Sequence, residues 1–400
     1  MINCDGRRSN NMIRNELTFT PAIRPYALNY EECKKTIYFD IETTGLSAQA
    51  SYVYLIGCAY ADETEHHLIQ WMTTDPSEEK ELLRTFFDFL GPFSVLVHYN
   101  GTGFDLPFLE KKSKRHCLNS PLSSMQSVDL YRLSQKLKGF LSVENLKLKS
   151  MERFFGLSRT DTFSGGDLIE VYARFLGLFK LNSITGGARS EEVAALTHVL
   201  LLHNAEDVMN LPALTVLQTL SEVYRFFETG ELSWHRENHY LVFSAPVPFS
   251  LPKNVSLSIP FGDSMLTLDL PKDQPFAELC VIPYHGELKH FYPNYSDYFY
   301  LPAEDCAMHK SVAIFVDKEY RKKATAATCY TKKEGDFLPL RKLASSAKKE
   351  AGTDETVSFS CFQSDIKCSF QYTPLSDELL SDKSAVKALC HTLLKSVLTT

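Results

Sequence analysis

The chain has 400 residues, 44 % of them hydrophobic and 23 % charged, and a formal net charge of −7. That length holds two domains in the ordinary globular class and has no apolar run long enough to cross a bilayer. A polar Met1–Asn15 without an apolar stretch does not read as a secretory leader, and the negative balance argues mildly against coating of nucleic acid by bulk charge while leaving a local grip on phosphates open, so a cytoplasmic protein with no membrane partner is expected.

Residues 1–30 read as a polar lead-in with at most one short extended piece. Thr36–Glu42 alternates apolar and polar residues and is rich in β-branched and aromatic types, which predicts a strand. Tyr52–Tyr60 and His66–Met72 follow as strands of a meander. Asp75–Leu90 carries helix signals: Asp75 to cap, Pro76 at the first position, and Glu78 and Glu79 in the first turn. Ser94–Tyr99 reads as a buried strand and Phe104–Arg115 as a helix. From Ser123 to about Tyr224 the pattern is mostly helical, with Val193–Phe227 the longest periodic segment. This order predicts an α/β domain over residues 31–224, a mixed sheet flanked by helices.

The character changes near Phe227. Strand-like runs at Tyr240–Phe243, Val255–Ile259, Met265–Leu270 and Val312–Val316, punctuated by prolines, predict a β-rich C-terminal domain over residues 225–400. Arg341–Glu355 reads as an exposed loop and Ser381–Leu398 as a final helix. The ten cysteines are scattered, with no Cys-x-x-Cys pair, so free thiols are expected and neither a disulfide framework nor a zinc site.

Three segments carry possible chemistry. In the predicted strand Phe39-Asp40-Ile41-Glu42, Asp40 and Glu42 project from one face and Phe39 and Ile41 from the other. The pair fits either an acidic strand face in solvent or a site for a hard cation such as Mg²⁺ or Mn²⁺. In Asn100-Gly-Thr-Gly-Phe104-Asp105 a strand ends in a glycine-rich turn and an acid opens a helix. That acid is a helix-dipole cap on one reading and a site residue on the other. In His203-Asn-Ala-Glu-Asp207, His203 and Asp207 share one helical face among apolar residues, where an unpaired charge is costly.

In this order the segments resemble the three exonuclease motifs of the DEDD superfamily of 3′→5′ exonucleases. Asp40 and Glu42 match the first motif; Asn100, Phe104 and Asp105 match the second as in the proofreading domains of B-family DNA polymerases; Asp207 matches the acid of the third. The likeness covers about residues 33–220 and is nearest to the YprB type of ribonuclease H-like domain. One departure is visible: His203 stands four residues before Asp207, the spacing of the superfamily's tyrosine with the chemistry of its histidine. The resemblance implies a ribonuclease H-like fold and a two-metal exonuclease acting on the 3′ end of DNA or RNA. In it Asp40, Glu42, Asp105 and Asp207 hold two Mg²⁺ or Mn²⁺ ions, Asp40 bridging them. His203 is the general base, with Glu206 a less favoured substitute. Thr43, Thr44, Gly45, Asn100 and Phe104 would bind the terminal nucleotide. A nucleic-acid-binding module of the same fold without turnover, and an endonuclease, are the competing readings.

Between Lys111 and Arg153 ten basic residues face only Asp129, Glu144 and Glu152, which fits either a phosphate track or a solvated face. Asp129 reads as a fifth site acid or as a helix cap. The aromatic cluster Phe291, Tyr292, Tyr295, Tyr298, Phe299 and Tyr300 reads as packing of the β-rich domain or as a stacking platform for single-stranded bases.

Overall fold

The computed structural model describes residues 12–23, 34–62, 65–139, 141–261, 264–341, 359–368 and 370–398. The first half is built on a six-stranded sheet in the order β1-β4-β3-β2-β5-β6. Its strands are β1 (Ile13–Phe19), β2 (Thr36–Thr43), β3 (Val53–Ala61), β4 (His66–Met72), β5 (Val95–His98) and β6 (Gln126–Asp129). β1 through β2 pair antiparallel, whereas β5 and β6 join parallel to β2 and to each other. The extended piece expected within residues 1–30 is β1, which closes the edge beside β4.

Side-chain alternation on β2 decides what the sheet carries. Ile37, Phe39 and Ile41 point into a core with Leu82, Leu83 and Phe86 of helix α1 (Glu79–Phe89), and Phe39 stacks on Phe86 at 5.7 Å. Asp40 and Glu42 point to the opposite face. α1 starts as the sequence predicts: Asp75 accepts from the Ser77 amide, and Glu78 reaches back to the Asp75 amide through a 3₁₀ turn over Pro76–Glu78. Helix α2 (Asp105–His116) packs on the same face as α1.

The helical stretch is not uniform. β6 lies inside it, a four-residue strand with Val128 its only apolar residue, too short to show a period and formed because β5 offers a parallel edge. The run Val193–Phe227 is not one helix: after α3 (Leu130–Lys136), α4 (Leu148–Phe154) and α5 (Gly165–Ile184), helix α6 spans Ser190–Met209 and ends at Asn210. Pro212, which lacks an amide proton, opens a series of short turns instead.

The second half holds a five-stranded antiparallel sheet in the order β7 (Ser233–Glu237), β8 (Tyr240–Pro246), β11 (Phe276–Val281), β10 (Ser264–Leu270), β9 (Val255–Phe261), and two three-stranded sheets, β12 (Tyr284–Phe291), β16 (Tyr330–Arg341), β17 (Phe370–Pro374) and β14 (Cys306–His309), β13 (Tyr298–Leu301), β15 (Lys322–Lys323). Alternation again sets its faces: Leu266, Leu268 and Leu270 are buried. The final helix, α7, is Lys383–Leu398, entered through Asp382, which accepts from the Ser384 amide at 2.9 Å. The two halves share apolar core: Leu217, Val223 and Phe227 belong to one cluster with Phe243, Leu279 and Leu389. Val312–Val316, expected as a strand, begins instead in a helical turn at Lys310–Ala313. The loop expected at Arg341–Glu355 lies, beyond Arg341, outside the described residues.

Candidate metal and catalytic site

The polar face of β2 is covered by α6, and a glycine sets how close that helix comes. Gly57 stands opposite Asp40 on β3; a Cβ there would lie 2.0 Å from Asn204 Oδ1. The space lets Asn204 sit buried against the sheet, where its Nδ2 donates to Asp40 Oδ2 at 3.1 Å and its Oδ1 accepts from Gln70 at 2.9 Å. Asn204 therefore fixes the rotamer of Asp40. One residue before Asn204 and three residues after it, α6 delivers His203 and Asp207 to the same cluster. Ligand atoms of Glu42, His203 and Asp207 all lie within 4.8 Å of one another.

Asp105 arrives from the other direction. The chain leaves β5, turns at Asn100, whose φ of 62° is left-handed, and enters α2 with Asp105 as its first residue. The turn is clasped by Asp129, which accepts from the amides of Asn100 at 2.9 Å and Thr102 at 3.2 Å. Asp129 also caps α3 through the Tyr131 amide at 3.0 Å, so it is the cap of the two readings offered by the sequence. His98 completes the clasp. Its Nδ1 accepts from Gly101 at 3.0 Å, its Nε2 faces Ser127, and burial pushes its pKa down to about 4, so it is neutral at physiological pH.

The carboxyls crowd one another. Burial pushes Asp40 far up from the usual carboxylate range, and Asp105, Asp207 and Glu42 push it further against the Asn204 hydrogen bond. Glu42 is raised in the same way by burial, then by Asp207 and Asp105, with Arg159 opposing. Asp105 is raised to about 7, burial outweighing the amides of Asp105 and Ile41. Such a cluster is stable in its charged form only with added positive charge. Asp207 Oδ1 is buried, and the Arg159 guanidinium lies 2.5 Å from it. Hard oxygen ligands in surplus over the one guanidinium among them, with an imidazole beside them, fit a divalent cation of the Mg²⁺ or Mn²⁺ kind.

Around this cluster lies a second layer that the sequence reading did not assign. Arg159, nearly buried, contacts Glu152 at 3.1 Å, Asp161 at 3.3 Å and Glu206 at 3.4 Å besides Asp207. Asp161 Oδ2 is 2.8 Å from His203 Nδ1 and 2.9 Å from Lys149 Nζ. Burial would raise Asp161, but Lys149, the Phe163 amide and His203 together hold it below its ordinary value. An ionised carboxylate only accepts, so Nδ1–H of His203 donates to Asp161 and Nε2 is the ring nitrogen turned to the cluster. That Nε2 lies 3.5 Å from Asp207 and 3.8 Å from Glu42. Glu206 is committed elsewhere: it accepts from Thr160 and Asp161 and holds their segment in place. Arg159 and Asp161 sit in a short polar stretch between predicted helices, and no period or motif marks them.

Of the expected nucleotide-binding residues, Thr43 and Thr44 shape the exit of β2. Thr43 Oγ1 donates to the Gly45 carbonyl at 3.0 Å, Thr44 pairs with Tyr52, and a Cβ on Gly45 would lie 2.6 Å from Ser51 Oγ. Asn100 is exposed and Phe104 is half-buried against Phe108. The basic run does not form one surface. Lys112 is buried, 3.0 Å from Glu79, and Lys149 is spent on Asp161.

Residues 37–218 match a family profile described as RNase_H superfamily. That match and the strand order make this part of the chain a ribonuclease H-like domain, a mixed sheet flanked by helices. Among solved structures the chain is similar to the family B DNA polymerase of Pyrobaculum calidifontis, with 14 % identity and a TM-score of 0.34, over 66 % of this chain and 35 % of that one. It is also similar to E. coli Exonuclease I in complex with an oligonucleotide, with 11 % identity and a TM-score of 0.26, over 58 % of this chain and 54 % of that one. A product-bound exonuclease I matches at 10 % identity and a TM-score of 0.28, over 62 % and 64 %. The chain thus spans 35 % of the polymerase and 54 % of the E. coli exonuclease.

Proposed function

We propose that residues 31–224 are a metal-dependent 3′→5′ exonuclease of the DEDD type, hydrolysing phosphodiester bonds at single-stranded ends of DNA or RNA, with residues 225–400 as a β-rich part packed on the same core. One observation carries the reading: carboxyls from β2, α2 and α6 crowd into a cluster short of positive charge, with an imidazole nitrogen facing it. Asp40, Glu42, Asp105 and Asp207 would hold two Mg²⁺ or Mn²⁺ ions. Such ions lower the pKa of a bound water and neutralise charge on the phosphate and leaving oxygen.

The chain's own residues do the rest. His203 accepts the proton of the attacking water at Nε2, and Asp161 holds the ring in the tautomer that leaves Nε2 free. Asn204 keeps Asp40 aimed at the cluster. Thr43, Thr44 and Gly45 offer backbone groups to the 3′ end, and Asn100 and Phe104 position the terminal nucleotide. Leu46, 88 % exposed directly after Gly45, presents an apolar face to the same end.

The test is incubation of 5′-labelled DNA and RNA strands with the full chain in Mg²⁺ or Mn²⁺, read on a sequencing gel beside the Asp40→Ala variant. A ladder shortening from the 3′ end, absent with a blocked 3′ end and absent in the variant, is expected. Hydrolysis by Asp40→Ala, or cutting of a circular strand, would overturn the assignment. Binding without any cleavage by the native chain would favour the module lacking turnover.

A further inference from the structure

The second half of the chain carries a feature that its packing does not use. β13 (Tyr298–Leu301), β14 (Cys306–His309) and β15 (Lys322–Lys323) form a small sheet, and the chain between β14 and β15 runs through two tight turns. Along those turns Phe315 is 85 % exposed, Ile314 62 %, Tyr320 58 % and Val312 55 %. Most of the aromatic residues nearby are packing: Tyr292 stacks on Tyr298 at 4.8 Å, and Phe291 meets Tyr330 at 5.2 Å. Phe315 and Tyr320 belong to neither contact and face outward.

The backbone under them is tied down. His309 Nδ1 accepts from the Ser311 amide at 3.2 Å, the Phe315 and Val316 amides donate to Val312 and Ala313, and the Arg321 guanidinium donates to the Ala313 carbonyl. Arg321 also lies over the Phe299 ring at 4.8 Å. Buried Ala313 anchors the turn from below. The apolar side chains are therefore displayed by a hydrogen-bonded scaffold, and an exposed cluster of this kind marks a contact surface.

Charge identifies the partner. From Lys310 to Lys323 the segment holds Lys310, Lys318, Arg321, Lys322 and Lys323 against Asp317 and Glu319, in a chain whose net charge is −7. Among the described residues, Lys310, Lys318, Lys322 and Lys323 lie in no ion pair with a carboxylate. Unneutralised cations alternating with outward aromatic rings at short spacing match the alternation of phosphate and base in a single strand. A lipid surface would ask for a long amphipathic helix, and this helical turn has four residues.

We propose that the turn region Lys310–Lys323 is a second contact for single-stranded nucleic acid, its bases stacking on Phe315 and Tyr320 and its phosphates held by Lys318, Lys322 and Lys323. It rests on the nuclease reading only in that the strand held here is the one whose end enters the site of residues 31–224.

The test is fluorescence anisotropy of a labelled oligothymidylate with the full chain in EDTA, where no turnover occurs, across a salt series. Phe315→Ala with Tyr320→Ala should weaken binding about tenfold or more. Lys318→Glu with Lys322→Glu should weaken it and flatten its salt dependence. All four side chains are exposed, so near-ultraviolet circular dichroism should be unchanged. In Mg²⁺, the aromatic double variant should raise KM for a long strand and leave a trinucleotide's turnover as it was. Native-like binding by both double variants would overturn the proposal, as would binding to phosphatidylserine vesicles, but not to the strand, that is lost with the rings. The two readings fail separately. A native chain that cleaves nothing yet binds through these residues sinks the nuclease alone, and a chain that cleaves while the variants bind normally sinks this surface alone.

Discussion

Two faces of one sheet bury carboxyls in opposite ways. On the α1 and α2 face, Glu79 is buried beside Lys112 at 3.0 Å and His116 at 2.8 Å, and it also takes the Val53 amide at 2.8 Å. The charge of Glu79 is matched within the fold. On the α6 face, Asp40, Glu42, Asp105 and Asp207 crowd together, and the nearest cation, Arg159, is divided among Glu152, Asp161, Glu206 and Asp207. The contrast separates two kinds of buried acid. The first is balanced by its own chain, whereas the second is left short, at a cost in stability that a ligand can relieve.

The comparison breaks most sharply on activity. Asp40→Ala or Asp207→Ala should abolish hydrolysis of a labelled strand and leave urea midpoints as high as native, since each removes a repelling charge. A large loss of stability in either would mean that the cluster is structural. Lys112→Ala should do the reverse, lowering unfolding free energy by about 3 kcal/mol in urea titration because Glu79 loses a buried counter-charge, with specific activity of the folded fraction retained.

Smaller effects sharpen the picture. His203→Ala should slow turnover roughly a hundredfold, the usual worth of a general base, with little change in KM. Asp161→Asn, which keeps an acceptor oxygen at Nδ1, should lose less activity than Asp161→Ala; equal losses would deny Asp161 its orienting part. The smallest effect is in pH. Asp105 titrates at about 7 in the fold, above its ordinary 3.8, so the folded state binds the extra proton between those values. The metal-free protein should therefore lose stability as pH rises from about 4 to 7, the sign required when the folded state binds more protons. Asp105→Asn or added Mn²⁺ should flatten that slope in thermal melts.

Much of the site was legible before the fold. The alternation of Phe39, Asp40, Ile41 and Glu42 placed two acids on one face, and the structure puts Phe39 and Ile41 in the core behind them. Asp75 and Pro76 announced the start of α1. Val312–Val316 misled because a β-branched apolar run was read as a strand, although among the described residues no strand pairs with it there. β6 escaped for the converse reason: four residues with one apolar side chain form a strand only because β5 already exists beside them.

What the sequence determined by itself was local: which acids share a strand face, which acid opens a helix, and that His203 and Asp207 stack one turn apart. Those facts follow from backbone periods of two and 3.6 residues, which need no knowledge of the rest of the chain. Tertiary structure alone decided that Asp161 grips His203 across 42 positions and Asn204 grips Asp40 across 164. It also decided that Arg159 reaches Asp207 and that Gly57 lets α6 settle on the sheet. No period spans such separations; they are fixed by how closely one helix packs against one strand, and with them the balance of charge that makes the site.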